Sequence, residues 1–229
     1  MTTTVEATLA RIDEQIASRS LLSHPFYQAW TRGQLSNDAL KDYAIQYYRH
    51  VAAFPTYLSA LHSRTEDAES RRRILANLID EEAGSPNHPE LWLQFAERMG
   101  AAREHTQSAE PWAETRELVN TFRRNCGEGS PAEGIAALYA YESQIPAVAA
   151  SKLDGLEKFY GITDAAGTAY FRVHEEADKE HSAVERALLA KHLEGADVAR
   201  VEQAVATTLD ALWNMLSAVR ARHAFTNPG

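Results

Sequence analysis

The chain has 229 residues, 45% of them hydrophobic and 24% charged, and a formal net charge of −9. It can bury a core of its own, so one domain over residues 1–229 is expected. The acidic balance argues against nucleic acid and against an anionic membrane surface. The longest basic run, Arg71-Arg72-Arg73, has no aromatic platform interleaved.

Helical periodicity runs along the whole sequence. Residues 4–18 form the first expected helix. They carry acidic residues early and no uninterrupted apolar stretch, so no signal peptide is expected. The stretch "SHPFYQAW" lies in a second helix, 24–32, and "YYRHVAAFPTYL" lies in a third, 37–64, where Pro55 should kink or break the pattern. Helices at 67–83 and 88–99 flank Gly84-Ser85-Pro86-Asn87, which cannot comfortably continue a helix. A helix at 110–125 leads to "RRNCGEGS", a polar connector holding Cys126. The single cysteine allows neither an internal disulfide nor a cysteine-based zinc site and suits a cytoplasmic protein. Ser130-Pro131-Ala132-Glu133 then reads as a capping box that opens a helix over 131–157, in which Pro146 should kink or break the pattern. Helices at 164–192, opened by Thr163-Asp164, and at 196–224 complete the chain. No run approaches the ~18 apolar residues of a spanning helix. No strand-like alternation, fixed repeat, Rossmann fingerprint, GxSxG or phosphate-binding glycine loop is present. The fold class is an all-α bundle of seven or more helices.

Three places carry candidate chemistry. In "FRVHEEADKEHS", His174, Asp178 and His181 stand at i, i+4 and i+7, within ~60° of one helix face at ~100° per residue. Glu175, Glu176, Lys179 and Glu180 point elsewhere. Asp178-x-x-His181 is related to the carboxylate-x-x-His unit of di-iron bundles. A helix–solvent boundary with surface histidines is the plain alternative. In "LIDEEAGSPNHPELWLQFA", Glu81 ends one helix and His88 begins the next, and the corner can aim both at one point. Alternatively, Glu81 is exposed and His88 pairs with a nearby carboxylate. In "IAALYAYESQIPAVAAS", Glu142 is the only charge between Glu133 and Lys152, so it needs a partner, either a buried Arg or Tyr or a metal. Taken together, these three carboxylates and three imidazoles suit iron or manganese, and the absence of thiolates argues against structural zinc.

"DEEAGSPNHPELW", "AYESQIP" and "HEEADKEH" resemble the heme-oxygenase-like dimetal oxidases, in particular the branch serving para-aminobenzoate synthesis that includes the chlamydial protein associating with death domains. The resemblance covers roughly residues 20–190. TenA-type and PqqC-type enzymes are more distant relatives. The TenA type relies on a cysteine nucleophile, and the polar connector around Cys126 is a poor place for one. The resemblance implies six metal ligands, Glu81, His88, Glu142, His174, Asp178 and His181. It further implies two transition-metal ions (Fe/Fe or Mn/Fe), O2, an external reductant and a homodimer. It does not identify the electron donor. It also implies a self-sacrificing oxygenase in which Tyr27 yields the ring and Lys152 the amino group, with Tyr141 and Tyr170 as electron relays or substitutes for Tyr27. On the residues alone, Tyr27, in an aromatic helix with Phe26 and Trp30, reads by default as core packing. A straight helix would carry Lys152 ~15 Å along and ~80° around from Glu142, away from the metals. Two other functions compete with this one: an oxidase of an external small molecule on the same site, and a death-domain-type interaction module.

Overall fold

The computed structural model describes residues 2–223, with side chains from residue 4 onward. Among these residues the order is α1 (Thr2–Ser18), a 3-10 turn (Leu21–Ser23), α2 (Pro25–Trp30), α3 (Asn37–Arg64), α4 (Ala68–Glu82) and α5 (His88–Arg98). There follow α6 (Arg103–Ser108), α7 (Ala113–Gly127), α8 (Pro131–Glu142), α9 (Ile145–Tyr160), α10 (Ala165–His192) and α11 (Val198–His223). No strand occurs among them. The expected end of the last helix at residue 224 lies outside the described residues. No described helix is long and apolar enough to cross a membrane.

Local signals explain most boundaries. Ser36, Asp67, Asn87 and Asp164 each cap a helix, their side chains accepting the amides of Ala39, Ser70, Glu90 and Gly167. Ser130 and Glu133 close the expected capping box at α8. Each cap satisfies an amide that has no partner inside its helix.

One expectation is corrected, and the break expected near Pro146 is found. Pro55 sits inside α3 without interrupting its 28 residues, because packing on both sides outweighs the one backbone bond a proline removes. The expected helix over 131–157 is two helices. α8 ends at Glu142, α9 starts at Ile145, and Pro146 falls in the first turn of α9, where its missing N–H costs nothing. The short helix α6 was not expected at all.

Every residue of α8 from Ala132 to Glu142 is buried. It is the central strut, packed against α7, α10 and α11. The two long helices, α3 and α10, flank it, and α5 and α9 close the same end against α10. Between them lies an aromatic core that includes Phe26, Tyr27, Trp30, Tyr43, Trp92, Phe95 and Phe171.

Gly155 lets α9 approach this core. A Cβ built there would lie 2.5 Å from the Trp30 indole, whose Nε1 donates to the Lys152 carbonyl at 3.2 Å. Gly155→Ala gains ~1 kcal/mol of helix propensity but overpacks a rigid, buried ring at ~1–3 kcal/mol. The clash should prevail. A fall in Tm of ~2–6 °C is expected. A Tm equal to or above that of the unsubstituted protein would show that Trp30 can retreat.

Candidate metal centre

The corner between α4 and α5 turns Glu81 and His88 toward the buried face of α10. Glu81, His88 and His174 offer ligand atoms within 4.8 Å of one another, and so do Glu142, Asp178 and His181. All six are buried. The six residues singled out in the sequence are therefore brought together as two triads, one from α4, α5 and α10, the other from α8 and α10.

The detailed contacts are those of a cation-binding donor set. In the first triad His88 Nδ1 lies 2.9 Å from Glu81 Oε2, yet the pair lacks hydrogen-bond alignment and Nδ1 has no hydrogen-bond partner. Two lone pairs aimed at a common point have this geometry. His174 Nδ1 lies 2.7 Å from the Tyr170 carbonyl, an acceptor only, so that nitrogen carries the proton. Its Nε2 lone pair is left facing Glu81 Oε1 at 3.8 Å. Burial pushes Glu81 up, but the two imidazoles outweigh it and hold the carboxyl at about 2.

The second triad repeats the logic. His181 Nε2 meets Asp80 Oδ2 at 3.1 Å, while its Nδ1 faces Asp178 Oδ1 at 3.3 Å and Glu142 Oε1 at 3.8 Å. Asp178 Oδ2 is buried with no hydrogen-bond partner among the described residues. Asn77 Nδ2 donates to both oxygens of Glu142, at 3.1 and 3.2 Å. Glu142 has no arginine or tyrosine partner. Burial and then Asp178 push its carboxyl up. Two carboxylates and an imidazole converging in a buried site fit a divalent cation. Mixed oxygen and nitrogen donors suit iron or manganese.

A pH dependence follows. Burial alone would lower His181, but Asp178, Glu142 and Asp80 together raise it to about 9. A metal must displace that proton. Apparent affinity for the weaker-bound ion should therefore keep rising between pH 7 and 8.5, by up to ~10-fold per unit. An ordinary histidine, with a pKa of ~6.5, gives a plateau above pH 7. Competition titration against a chromophoric chelator separates the two outcomes.

The four residues assigned by resemblance lie in the adjoining aromatic chamber. The Tyr170 ring stacks on His174 with centroids 4.0 Å apart. Tyr170 and Tyr141 share a hydrogen bond, and Tyr47 donates to the Tyr141 hydroxyl at 2.9 Å. The Tyr47 ring lies 5.3 Å from Tyr43. Lys152 Nζ donates to the Tyr43 hydroxyl at 2.5 Å, and Tyr43 is hydrogen-bonded to Tyr27. Lys152 is 3% exposed, with Nζ 5.5 Å from the Tyr27 ring and 5.0 Å from Phe171. The straight-helix placement of Lys152 is thus corrected: the break between α8 and α9 redirects it inward. Burial without an acidic partner lowers its amine to about 7. Burial pushes the Tyr27 phenol well up, against the Tyr43 hydrogen bond.

Cys126 also differs from expectation. It belongs to α7, not to a connector, and is fully buried. Burial, and then Glu142, push its thiol well up, which makes it inert rather than nucleophilic. Asn77, Tyr43, Tyr47 and Glu185 were not singled out in the sequence. Asn77 stands one helical turn before Glu81, and Glu185 one turn after His181, so helical spacing was the available signal. His50 was missed as well. It is fully buried among Tyr47, Tyr57, Phe122 and Tyr141, and burial lowers it to about 3.

A sequence family described as iron-containing redox enzymes matches residues 41–213. The chain belongs to that family. It is 45% identical over 206 residues to a 4-aminobenzoate synthase of Chlamydia pneumoniae, covering 90% of this chain and 92% of that one. It is 43% identical over 223 residues to a 4-aminobenzoate synthase of Nitrosomonas europaea, covering 93% and 91%. A CADD-like protein of Nostoc punctiforme superposes with a TM-score of 0.78 at 15% identity, over 98% of this chain and 100% of that one. This last likeness bears on the fold, which is all-helical and heme-oxygenase-like. As a family member the protein is a redox enzyme, and its two triads are its candidate metal sites.

Proposed function

We propose that this enzyme makes 4-aminobenzoate, drawing the ring from Tyr27 and the amino nitrogen from Lys152. One observation carries the reading: Lys152 is a buried amine without an acid, hydrogen-bonded through Tyr43 to Tyr27, in the chamber that adjoins the triads. The relatives named 4-aminobenzoate synthase support the product. Two ions held by the triads, Fe/Fe or Mn/Fe, would supply redox chemistry toward O2 with an external reductant.

The product has a carboxyl and an amino group para on one ring. Tyrosine already carries Cβ para to its hydroxyl. Cleavage of Cα–Cβ frees the ring and leaves glycine at position 27. Cα takes up a hydrogen, and Cβ is oxidised to the carboxyl with O2 as the oxidant. The phenolic oxygen leaves as water when nitrogen from Lys152 replaces it, and the Lys152 Cε–Nζ bond breaks with Cε oxidised to an aldehyde, O2 again taking the electrons. Near neutral pH a large fraction of Lys152 is the free amine, because nothing in the chamber compensates its charge. Tyr27 and Lys152 are held by packing and by Tyr43, which fixes their mutual orientation. Tyr170 stacks on His174 and is hydrogen-bonded to Tyr141, and in this reading the two tyrosines would pass electrons between the triads and Tyr27.

The test is complementation. A para-aminobenzoate auxotroph expressing this chain should grow without the vitamin precursor, and the His174→Ala form should not support growth. Failure of the unsubstituted chain to rescue, despite metal loading and soluble expression, would favour oxidation of an external small molecule on the same site.

A further inference from the structure

We infer that Glu185 is a seventh protein ligand, binding the ion held by Glu142, Asp178 and His181. The inference rests on the dinuclear reading above and adds to it one residue of α10. Glu185 lies seven residues after Asp178 and four after His181. At ~100° per residue it falls within the same ~60° arc as His174, Asp178 and His181. Side chains on a helix lean toward its N-terminus, so Glu185 leans back over His181. Its carboxyl reaches that of Glu142.

Glu185 is 5% exposed, and among the described residues its carboxylate oxygens have no hydrogen-bond partner apart from the Glu142 carboxyl they face. It lines a cavity of about 110 Å³ together with Asn77, Asp80, His181 and Arg73. Of the six triad residues only His181, a member of the second triad, lines this cavity. A buried carboxylate facing another carboxylate, with its oxygens otherwise unpartnered, needs either a proton or a cation between them. With Glu185 the second site would hold three carboxylates and one imidazole, against one carboxylate and two imidazoles in the first. The two sites would then differ in ligand hardness, the second being the harder.

Glu185→Gln discriminates between the two roles. If Glu185 merely donates a hydrogen bond to Glu142, the glutamine amide replaces that donor and metal binding is unchanged. If Glu185 is a ligand, the variant loses an anionic oxygen. Metal-free wild-type and variant proteins are titrated anaerobically with Mn(II), reading ions per chain and affinity by chelator competition. Wild type should bind two ions. The variant should hold the first ion normally and the second at least ~10-fold more weakly, a loss no smaller than those seen when outer-shell partners are removed. Two ions at unchanged affinities in the variant overturn the assignment and leave the dinuclear reading intact. Fewer than two in wild type overturn both. Should the variant not fold, a crystal of the wild-type protein soaked in Mn(II) gives the answer. A Glu185 oxygen within ~2.2 Å of the second ion, an ordinary metal–carboxylate distance, supports it, and one well outside the coordination shell overturns it.

Discussion

Glu142→Ala protein should take up one transition-metal ion fewer per chain than the unsubstituted enzyme, and its O2 consumption should fall by at least ~100-fold. That magnitude is at the upper end of what removing an outer-shell partner costs, and a ligand should not cost less. Glu142 is the one triad residue that α8 contributes, is 1% exposed, and faces Asp178 and His181. Without it the second triad has two donors. His88→Ala and His174→Ala should do the same to the first triad. Thermal melting of the metal-free forms would separate a loss of binding from a loss of folding. In the metal-free state Glu142 adds to a cluster of like charges, so the isosteric Glu142→Gln should melt no lower than the unsubstituted chain. The rise in Tm on adding metal should shrink, because less binding free energy is linked to folding. Unchanged metal content and O2 consumption in Glu142→Ala would mean that the six-residue arrangement does not hold the ions.

The second large effect concerns the two residues that the proposed reaction consumes. Tyr27→Phe should yield no 4-aminobenzoate while binding metal normally, since Tyr27 is outside both triads. Lys152→Arg should behave likewise, because a guanidinium keeps a charge but is a poor nitrogen donor. Arginine also cannot become neutral in the aromatic chamber as the lysine does. In the unsubstituted enzyme, nitrogen label placed in lysine should appear in the product's amino group. Peptide mapping after reaction should find glycine at position 27, and turnover should stop near one product per chain. Lys152 also sets a pH limb. Its amine is lowered to about 7, so the reactive neutral form grows as pH rises through that value. The rate of the single turnover should rise between pH 6 and 8 and then level. Many turnovers with Tyr27 intact would discard the self-sacrificing reaction and leave an external substrate.

What could be read from the sequence was whatever depends on neighbours along the chain. His174, Asp178 and His181 share a helix face because 3.6 residues make a turn, and no tertiary contact is needed to know it. Glu142 stands out as a lone charge in an apolar helix, and the caps at Ser130 and Asp164 are local chemistry. The triads themselves were legible only as an expectation that six residues converge. Which three form each cluster depends on how α4, α5, α8 and α10 pack, and helical spacing carries none of that. Lys152 shows the limit most clearly. From helical geometry alone it pointed away from the site. Two non-helical residues, Ser143 and Gln144, reset the direction of α9 and carried it into the aromatic core. Cys126 failed for a related reason: polar neighbours in sequence suggested exposure, but α7 turns the thiol against α8. Glu185 lay on the same helical arc as the ligands. The sequence does not single it out, because its burial is decided by the helices packed over it and not by any residue beside it in the chain.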